Sequence, residues 1–405
     1  MVDAQPFRAL RYDPAVAGDA LSTSAPPYDD VGRFTYARHR TASPYTVLEL
    51  LTPGETTSGS AYAGAAAAFR RWLRTGVLRS DDRPAFYLYE IHELRRGVPA
   101  VMRGVLAAVS VTDATLRPHE DTDPQRVTAR LQRLQAVPAD LAPVFAVHTP
   151  APASLRRILD APPRSAPIVA VTDETGADHR IWALADRGEV EAVAAGIAQV
   201  EAVIADGHHR YQAAVALHDQ DPSLDRTMVY LVDGSAYGPQ LQAVHRRVDG
   251  LSVTPRVVLG DRFAVYPVPS DGLADALDGH EGFAFGLRHG GSTSLVVARD
   301  PKAIDATLPV ERRALWQGLD SAAWEYAVRP LLGPVEVSYR SDVDAAAAGV
   351  DPDPAAALFV LRSPSLAQVH RCAHAGVAMP PKTTWFWPKP RAGLVMRSLQ
   401  SVDGH

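Results

Sequence analysis

The sequence predicts a mixed α/β protein of the α+β kind, because three patterns alternate along its 405 residues. Paired runs of aromatic and β-branched residues at Ala85–His92 and Met102–Val111 predict an antiparallel hairpin. Apolar residues recur at helical spacing within Gln125–Gln135, which predicts an amphipathic helix. An apolar run at Val200–Ala205 leads directly into a glycine turn and a second helical segment. Strands and helices are therefore interleaved along the chain.

The same two periodicities place the other elements in order. Enrichment in β-branched and aromatic residues predicts strands at Phe7–Tyr12, Tyr45–Leu51, Ile168–Val171, His179–Leu184, Met228–Val232, Val257–Pro267, Gly282–Leu287 and Thr293–Ala298. Helical spacing predicts helices at Gly64–Thr75, around Val190–Ile197, at Tyr211–His218 and along Pro309–Leu331. From the changes of pattern we expect three regions: an N-terminal α/β region at 1–100, a core at 101–245, and a C-terminal α/β domain at 246–405. We expect the tail of the last domain to return toward the candidate site in the core, which is described below.

Composition excludes several classes of protein. The formal net charge is −5 and no dense Lys/Arg stripe occurs, so a nucleic-acid partner is not expected. The one cysteine, Cys372, excludes a disulfide within the chain and a cysteine-rich metal site. No apolar run approaches the roughly 18 residues of a membrane span, and the first residues lack the apolar core of a secretory signal. We therefore expect a cytoplasmic protein without a membrane partner, and leave a homodimer open.

The turn Asp206–Gly207–His208–His209–Arg210 is the most informative local feature. Glycine allows positive φ and close approach of the backbone, and the first N–H groups of the following helix point toward its N-terminal end, where they bind anions. Arg210 adds a charge suited to phosphate, and Asp206 could hold Mg²⁺ or a hydroxyl group. The alternative is an N-cap aspartate with histidines that only pack or face solvent.

A second group of polar residues, Arg117–Thr122, follows the strand Met102–Val111. His119 and Glu120 in this loop have the chemistry of a general base or a metal ligand. The alternative is an acidic loop that caps the helix beginning near Gln125.

Four further residues are weaker candidates for substrate binding. Arg180, His245 and Arg247 lie at predicted strand ends, where they would supply positive charge unless they simply face solvent. Lys382 follows two prolines, which would hold a lysine rigidly at a pocket; the alternative is a chain end fixed by the aromatic residues after it.

Several motifs together resemble one protein family. The segments PFRALRYDP, RPHEDT, IADGHHRY and MPPKTTWFWPKPRAGLV occur in this order over nearly the whole chain. In this respect the sequence resembles domain-of-unknown-function family 1015, whose name implies no activity.

A more distant resemblance implies a function. A PHE-type loop followed by a strand, a DGHxR-type turn and a helix is similar to the ParB/sulfiredoxin-like superfamily, and within it to free serine kinases. The resemblance implies a ParB/sulfiredoxin-like core with a mixed sheet, with Glu120 taking the proton of the substrate hydroxyl and Asp206–Arg210 cradling the nucleotide phosphates. Two departures are the long stretch from Glu120 to Asp206 and the histidine that stands in DGHHR where the kinases have threonine.

The resemblance implies a nucleotide-dependent kinase that acts on the hydroxyl of a small metabolite, with free L-serine as the first candidate, ATP or ADP as donor and Mg²⁺ as cofactor. The anion site at the turn and the carboxylate of Glu120 fit phosphoryl transfer, which needs positioning and charge neutralisation. Glu120, Asp206 and His119 are the predicted catalytic residues, and Gly207 through Arg210 the phosphate-binding ones. No Walker-type loop and no protein-kinase motif set occurs. The alternatives are a ParB-like nucleotide-binding switch without phosphoryl transfer, or another phosphate enzyme such as a phosphatase.

Overall fold

The computed structural model describes residues 1–27, 33–52, 61–95, 97–112 and 116–400, with the backbone alone for 33–36. Its strands, in chain order, are β1 Ala4–Gln5, β2 Ala9–Tyr12, β3 Leu78–Ser80, β4 Phe86–Arg95, β5 Val98–Ser110, β6 Leu116–Arg117, β7 Ala139–Asp140, β8 Val144–His148, β9 Val169–Thr172, β10 Asp178–Leu184, β11 Ala202–Asp206, β12 Arg226–Asp233, β13 Gln240–Gln242, β14 His245–Asp249, β15 Phe263–Pro267, β16 Ala284–His289, β17 Ser292–Ala298, β18 Glu336–Arg340, β19 Ala356–Val360, β20 Trp385–Trp387 and β21 Met396–Ser398.

Helices alternate with these strands. They are α1 Pro14–Ala17, α2 Ala20–Thr23, α3 Arg33–Ala42, α4 Leu48–Leu51, α5 Ala63–Arg74, α6 Pro124–Ala136, α7 Ala153–Asp160, α8 Arg187–Ile197, α9 His208–Gln220, α10 Pro255–Leu259, α11 Leu273–Asp278, α12 Pro301–Thr307, α13 Arg313–Trp316, α14 Asp320–Ala323, α15 Val343–Ala347 and α16 Leu366–His374. Within the described ranges, no helix combines the length and apolar character that crossing a bilayer requires.

The chain forms two compact units that interleave along the sequence. Unit 1 comprises Met1–Arg117, Thr122–Pro239 and Pro388–His405; unit 2 comprises Pro118–Asp121 and Gln240–Trp387. This division differs from the three predicted regions. The expected boundary near residue 100 falls inside β5, which pairs along its length with β4, so a division there would split one hairpin.

Unit 1 is built on a mixed sheet in the strand order β6-β11-β8-β12-β5-β4-β10-β9, with β1 added to β5. The pairs β6/β11 and β8/β12 are parallel and the remaining neighbours are antiparallel. The predicted α/β class with a mixed sheet is thus confirmed, as is the β4/β5 hairpin. Buried side chains such as Leu88, Val105 and Val229 form its core, each contributing about 1.5–3 kcal/mol through burial.

A second, smaller sheet in unit 1 has the order β3-β2-β21-β7. Strand β21 lies at its centre, paired with β2 on one side and β7 on the other. The chain therefore returns to unit 1 after completing unit 2, and the returning segment Pro388–Ser398 is part of the fold.

Unit 2 contains a six-stranded antiparallel sheet in the order β15-β17-β16-β19-β14-β18 and a separate pair, β13/β20. Its core is rich in aromatic rings, with Trp324 and Phe285 both packed on Phe359. Strand β14 holds two of the predicted site residues and lies between β18 and β19.

Three secondary-structure predictions are corrected. Tyr45–Leu51 is not a strand, because Leu48–Leu51 forms helix α4 with three buried leucines, and so short an apolar run carries no decisive period. Val257–Pro267 divides into α10 and β15 at Gly260, whose φ is +46°. The single helix expected at Pro309–Leu331 is broken at Gly318, whose φ is +80°, and continues as short helical segments.

Candidate functional site

The predicted strand–turn–helix feature is present in unit 1. Strand β11 is buried from Ala202 to Ala205 and pairs with β8, with an irregularity between Ile204 and Asp206. Gly207 follows in the left-handed region, with φ 92° and ψ 27°, and α9 begins at His208. The turn therefore places the carboxylate of Asp206 and the N-terminus of the 13-residue helix α9 at the same end of strand β11.

Only glycine fits the turn without strain. A Cβ atom at Gly207 would lie 2.8 Å from both Nε and an Nη atom of Arg210, at a φ that other residues rarely adopt. We expect Gly207→Ala to lower the free energy of unfolding by about 2 kcal/mol or more, measured in urea. The matched control is Gly188→Ala in α8, where nothing lies within 4 Å of the new methyl group and alanine favours the helix. Equal urea midpoints for the two variants would show that the turn is not constrained in this way.

The carboxylate of Asp206 lies between two cationic side chains of unit 1. Lys389 Nζ donates to Oδ1 at 2.7 Å, and an Nη atom of Arg210 donates to Oδ2 at 2.5 Å. The other Nη of Arg210 donates to the carbonyl of Pro143 at 2.8 Å. Arg210 thus folds back beneath the turn and holds Asp206 and the start of β8 together.

These charges control the ionisation of Asp206. Burial alone would raise the pKa of this carboxyl, but the positive charges of Lys389 and Arg210 outweigh burial and lower the pKa to about 2. Asp206 is therefore a carboxylate at neutral pH, unsuited to donate a proton.

The arrangement does not fit a magnesium ion held by Asp206. Mg²⁺ requires oxygen ligands, and both oxygens of Asp206 already accept hydrogen bonds from cations. Among the described residues, no group of three or more His, Cys, Asp or Glu side chains is arranged to hold a metal. A Mg²⁺ ion at Asp206 stays a prediction that would require displacement of Lys389 or Arg210.

The two histidines of the turn have different surroundings. His208 is buried, and its proximity contributes to the lowered pKa of Asp206. His209 Nε2 accepts the backbone N–H of Asp123 at 3.1 Å, which assigns the proton of a neutral ring to Nδ1. Since Asp123 is the N-cap of α6, His209 joins the beginnings of α6 and α9.

His119 and Glu120 belong to the short segment Pro118–Asp121 of unit 2. His119 is fully buried; its Nε2 lies 2.9 Å from Oγ1 of Thr384, and its carbonyl accepts the N–H of Met379 at 2.8 Å. Glu120 is half-buried. His119 thus anchors the loop, while its neighbour Glu120 supplies a carboxylate.

The four weaker candidates lie in different surroundings. Arg180 is 46% exposed on β10 of unit 1 and lies 3.7 Å from Asp178. In unit 2, burial lowers the pKa of His245 to about 4, and its Nδ1 accepts the N–H of Leu361. Arg247 is bound to Asp249 on the same strand at 3.0 Å. Lys382 is exposed, with a left-handed φ of 55°.

Most of the sequence matches a known family. A model of a family described as proteins of unknown function, DUF1015, matches residues 4–322. This chain belongs to the DUF1015 family. Among curated proteins, none matches it.

Three solved structures are similar to this DUF1015 chain at low identity. They are SbnI from Staphylococcus aureus with a C-terminal truncation (13% identity, TM-score 0.39, 74% of this chain and 90% of that one), a free serine kinase variant in complex with AMP (13%, 0.38, 69% and 87%), and a conserved hypothetical protein from Pyrococcus furiosus (14%, 0.38, 73% and 95%).

Two charged residues that sequence reasoning missed stand out in the DUF1015 chain. Lys389, with a side chain only 7% exposed, contacts Asp206, whereas the lysine predicted to return to the site was Lys382. Arg246 is buried in β14 between the two residues that were selected, His245 and Arg247. The proline on each side of Lys389 was a sequence feature that could have indicated a fixed lysine. Lys389 lies beyond the residues that the family model matches.

Proposed function

We propose that this DUF1015 chain is a nucleotide-dependent phosphotransferase that phosphorylates the hydroxyl group of a small metabolite, with free L-serine as the first acceptor to test. The turn Asp206–Arg210 would bind the phosphates of ATP or ADP. Glu120 would orient the acceptor hydroxyl and take its proton. The observation that carries the proposal is the rigid Gly207 turn, which joins a helix N-terminus to the Lys389–Asp206–Arg210 charge cluster.

This cluster supports phosphate binding for electrostatic reasons. The N-terminus of α9 carries partial positive charge, and two cationic side chains lie beside it, fixed by hydrogen bonds to Asp206. Groups fixed in this way need no reorganisation when negative charge arrives. Asp206 is thereby a positioning residue for Arg210 and Lys389, a role different from the catalytic one expected from the sequence.

The chemical step would be in-line phosphoryl transfer. The acceptor oxygen forms a bond to the terminal phosphorus while the bond from that phosphorus to the bridging oxygen breaks, and the shortened nucleotide leaves. The hydroxyl proton passes to the Glu120 carboxylate. Such transfer depends on positioning and charge neutralisation, which the residues of the turn would provide. Any Mg²⁺ would be expected to arrive bound to the nucleotide phosphates.

The kinase resemblance of the sequence motifs supports the choice of serine. Structures of free serine kinase hold AMP or ADP. With TM-scores of 0.37–0.38, these structures are too dissimilar to assign a nucleotide to the present chain.

Phosphorus NMR provides the direct test. The protein would be incubated with Mg²⁺, with ATP or ADP in turn, and with L-serine, L-threonine or L-homoserine. A new phosphomonoester signal is expected with one donor and with L-serine. Release of inorganic phosphate alone would favour a hydrolase. Nucleotide binding in a calorimeter without any new phosphorus signal would favour a nucleotide-binding switch and contradict the kinase.

A further inference from the structure

The returning segment Pro388–Ser398 carries a second buried cation, Arg391, two residues after Lys389. Each side-chain nitrogen of Arg391 has an acceptor within unit 1. The two Nη atoms donate to the carboxylate oxygens of Glu174 at 2.7 Å and 3.4 Å, and Nε donates to Oγ of Ser24 at 3.1 Å. A bidentate ion pair and one further hydrogen bond therefore fix the guanidinium.

The backbone at this arginine is fixed as well. The N–H of Arg391 donates to the hydroxyl oxygen of Tyr89 at 3.3 Å, and that oxygen also lies 2.8 Å from Nδ1 of His179. The next residue, Ala392, exchanges two backbone hydrogen bonds with Ala25, at 2.9 Å and 3.1 Å. Arg391 is thus a fixed point of the returning segment, in its main chain and in its side chain.

The carboxylates that surround Arg391 are ionised. Burial alone would raise the pKa of Glu174, but the hydrogen bond from Arg391 outweighs burial and lowers it. Asp173, 3.8 Å from Arg391, also has a lowered pKa, because hydrogen bonds from residues such as His179 outweigh its burial. Buried ion pairs add little stability over well-packed apolar residues, so their contribution is sought in the positions that they fix.

Lys389 is connected rigidly to this fixed point. A proline stands on each side of it. Proline fixes its own φ and restricts the residue before it, so few backbone torsions between Lys389 and Arg391 stay free. The Nζ atom of Lys389 donates to Oδ1 of Asp206 at 2.7 Å. A displacement of Arg391 would therefore move the Lys389 ammonium away from Asp206.

We propose that Arg391 is a positioning residue for Lys389: its ion pair with Glu174 holds the returning segment so that the Lys389 ammonium stays at the turn Asp206–Arg210. A lysine side chain has many rotamers, so fixing it in advance removes an entropic cost from ligand binding. An ammonium held in place neutralises incoming phosphate without reorganisation. The consequence for phosphate binding rests on the proposed function, whereas the positioning of the ammonium does not.

The positioning is tested by NMR of the lysine side chains, without any ligand. The lysines of the sequence are Lys302, Lys382 and Lys389, so ε-¹³C lysine labelling gives one signal for each, and the Lys389 signal is the one lost in Lys389→Met. We expect a high order parameter for the ε-methylene group of Lys389 and low ones for the two exposed lysines. In Glu174→Gln and in Arg391→Met, the Lys389 value should fall toward theirs.

Glu191→Gln is the matched control for Glu174→Gln. It makes the same charge change in unit 1 and breaks an ion pair with Arg187, at 2.8 Å, that is exposed on α8. Lys389 should stay ordered in this variant. Glu174 is partly exposed, so its glutamine variant keeps the test available if Arg391→Met does not fold. An unchanged Lys389 order parameter in Glu174→Gln, or an equal fall in Glu191→Gln, would overturn the proposal.

Calorimetry with ADP tests the consequence for phosphate binding. The affinity should fall about tenfold or more in Lys389→Met, which removes a charge-assisted contact, and about threefold to tenfold in Glu174→Gln. In a chain that already carries Lys389→Met, Glu174→Gln should have no further effect, because Glu174 acts on the phosphates through Lys389. An equal loss of affinity in both backgrounds would show a general structural role of Glu174 and contradict the proposal.

The two measurements distinguish this proposal from the proposed function. A fall of the Lys389 order parameter in Glu174→Gln, with no binding of ADP by the wild type, would support the positioning and refute the phosphate site. Binding of ADP that is weakened in Lys389→Met, with the Lys389 order parameter unchanged in Glu174→Gln, would support the phosphate site and refute the positioning.

Discussion

Replacing Glu120 by glutamine is expected to reduce phosphoryl transfer to L-serine by about 10²–10⁴-fold, because the amide keeps the size of the side chain and cannot take a proton. The rate of phosphomonoester formation, followed by phosphorus NMR at saturating nucleotide, measures this loss. Nucleotide affinity, measured by calorimetry, should stay unchanged, since the proposed role of Glu120 is toward the acceptor hydroxyl and the proposed phosphate-binding residues are Gly207 through Arg210.

The matched control for this substitution is Glu311→Gln. Glu311 is an exposed glutamate of the same unit, so its variant carries the same charge change without touching the Pro118–Asp121 segment. Wild-type rates are expected for it. If Glu120→Gln also retained the wild-type rate, Glu120 would have no part in proton transfer, and the function would have to be sought elsewhere.

Breaking the ion pair between Lys389 and Asp206 is expected to have the largest effect on stability. Lys389→Met removes the cation and leaves a largely buried carboxylate with one partner fewer, which should lower the free energy of unfolding by about 3 kcal/mol. Asp206→Asn should cost a similar amount. Combining both substitutions should cost less than their sum, since the double variant leaves no unmatched charge of this pair. Urea unfolding of the four proteins measures this coupling.

Lys382→Met is the matched control, because this second lysine of the same tail is exposed. Its effect should stay within about 0.5 kcal/mol. The pair also has a pH signature. Because the pKa of Asp206 is lowered to about 2 in the folded chain, its contribution is present above the ordinary value of 3.8 and is lost as the pH falls toward 2. Asp206→Asn should lose less stability over that range. Strictly additive single effects and an unchanged acid profile would contradict the coupling.

Local patterns in the sequence were sufficient to predict the turn at Asp206–Arg210. They were insufficient to predict the distant residue that contacts it. A strand of apolar residues, a glycine and a helix follow one another directly at Val200–His218, so neighbouring residues alone predict the geometry. Lys389 reaches Asp206 from the far end of the sequence, and no periodicity reports a contact over that distance. The two prolines before Lys382 favour a fixed position for that lysine, but proline fixes only the local backbone.

Arg246 was missed for a different reason. In a strand, consecutive side chains point to opposite faces, so His245 and Arg247 share one face and Arg246 has the other. Sequence reasoning treats arginine as an exposed residue, because arginine is almost never fully buried unless it is paired. The aromatic rings of Tyr339 and Trp324 that accommodate its charge come from distant segments. Packing that the local sequence does not reveal also explains the wrong strand prediction at Tyr45–Leu51, where the burial of three leucines decides the local structure.

The central position of β21 in the small sheet has a consequence for folding during synthesis. Strands β2 and β7 both pair with β21, so neither can complete its hydrogen bonds until Met396–Ser398 has left the ribosome. At about 5–20 residues per second, β2 must wait tens of seconds for its partner. Over this interval Leu10 and Met396, which the finished protein buries in one cluster, are still apart. The nascent chain therefore exposes an unpaired strand edge of the kind that chaperones bind.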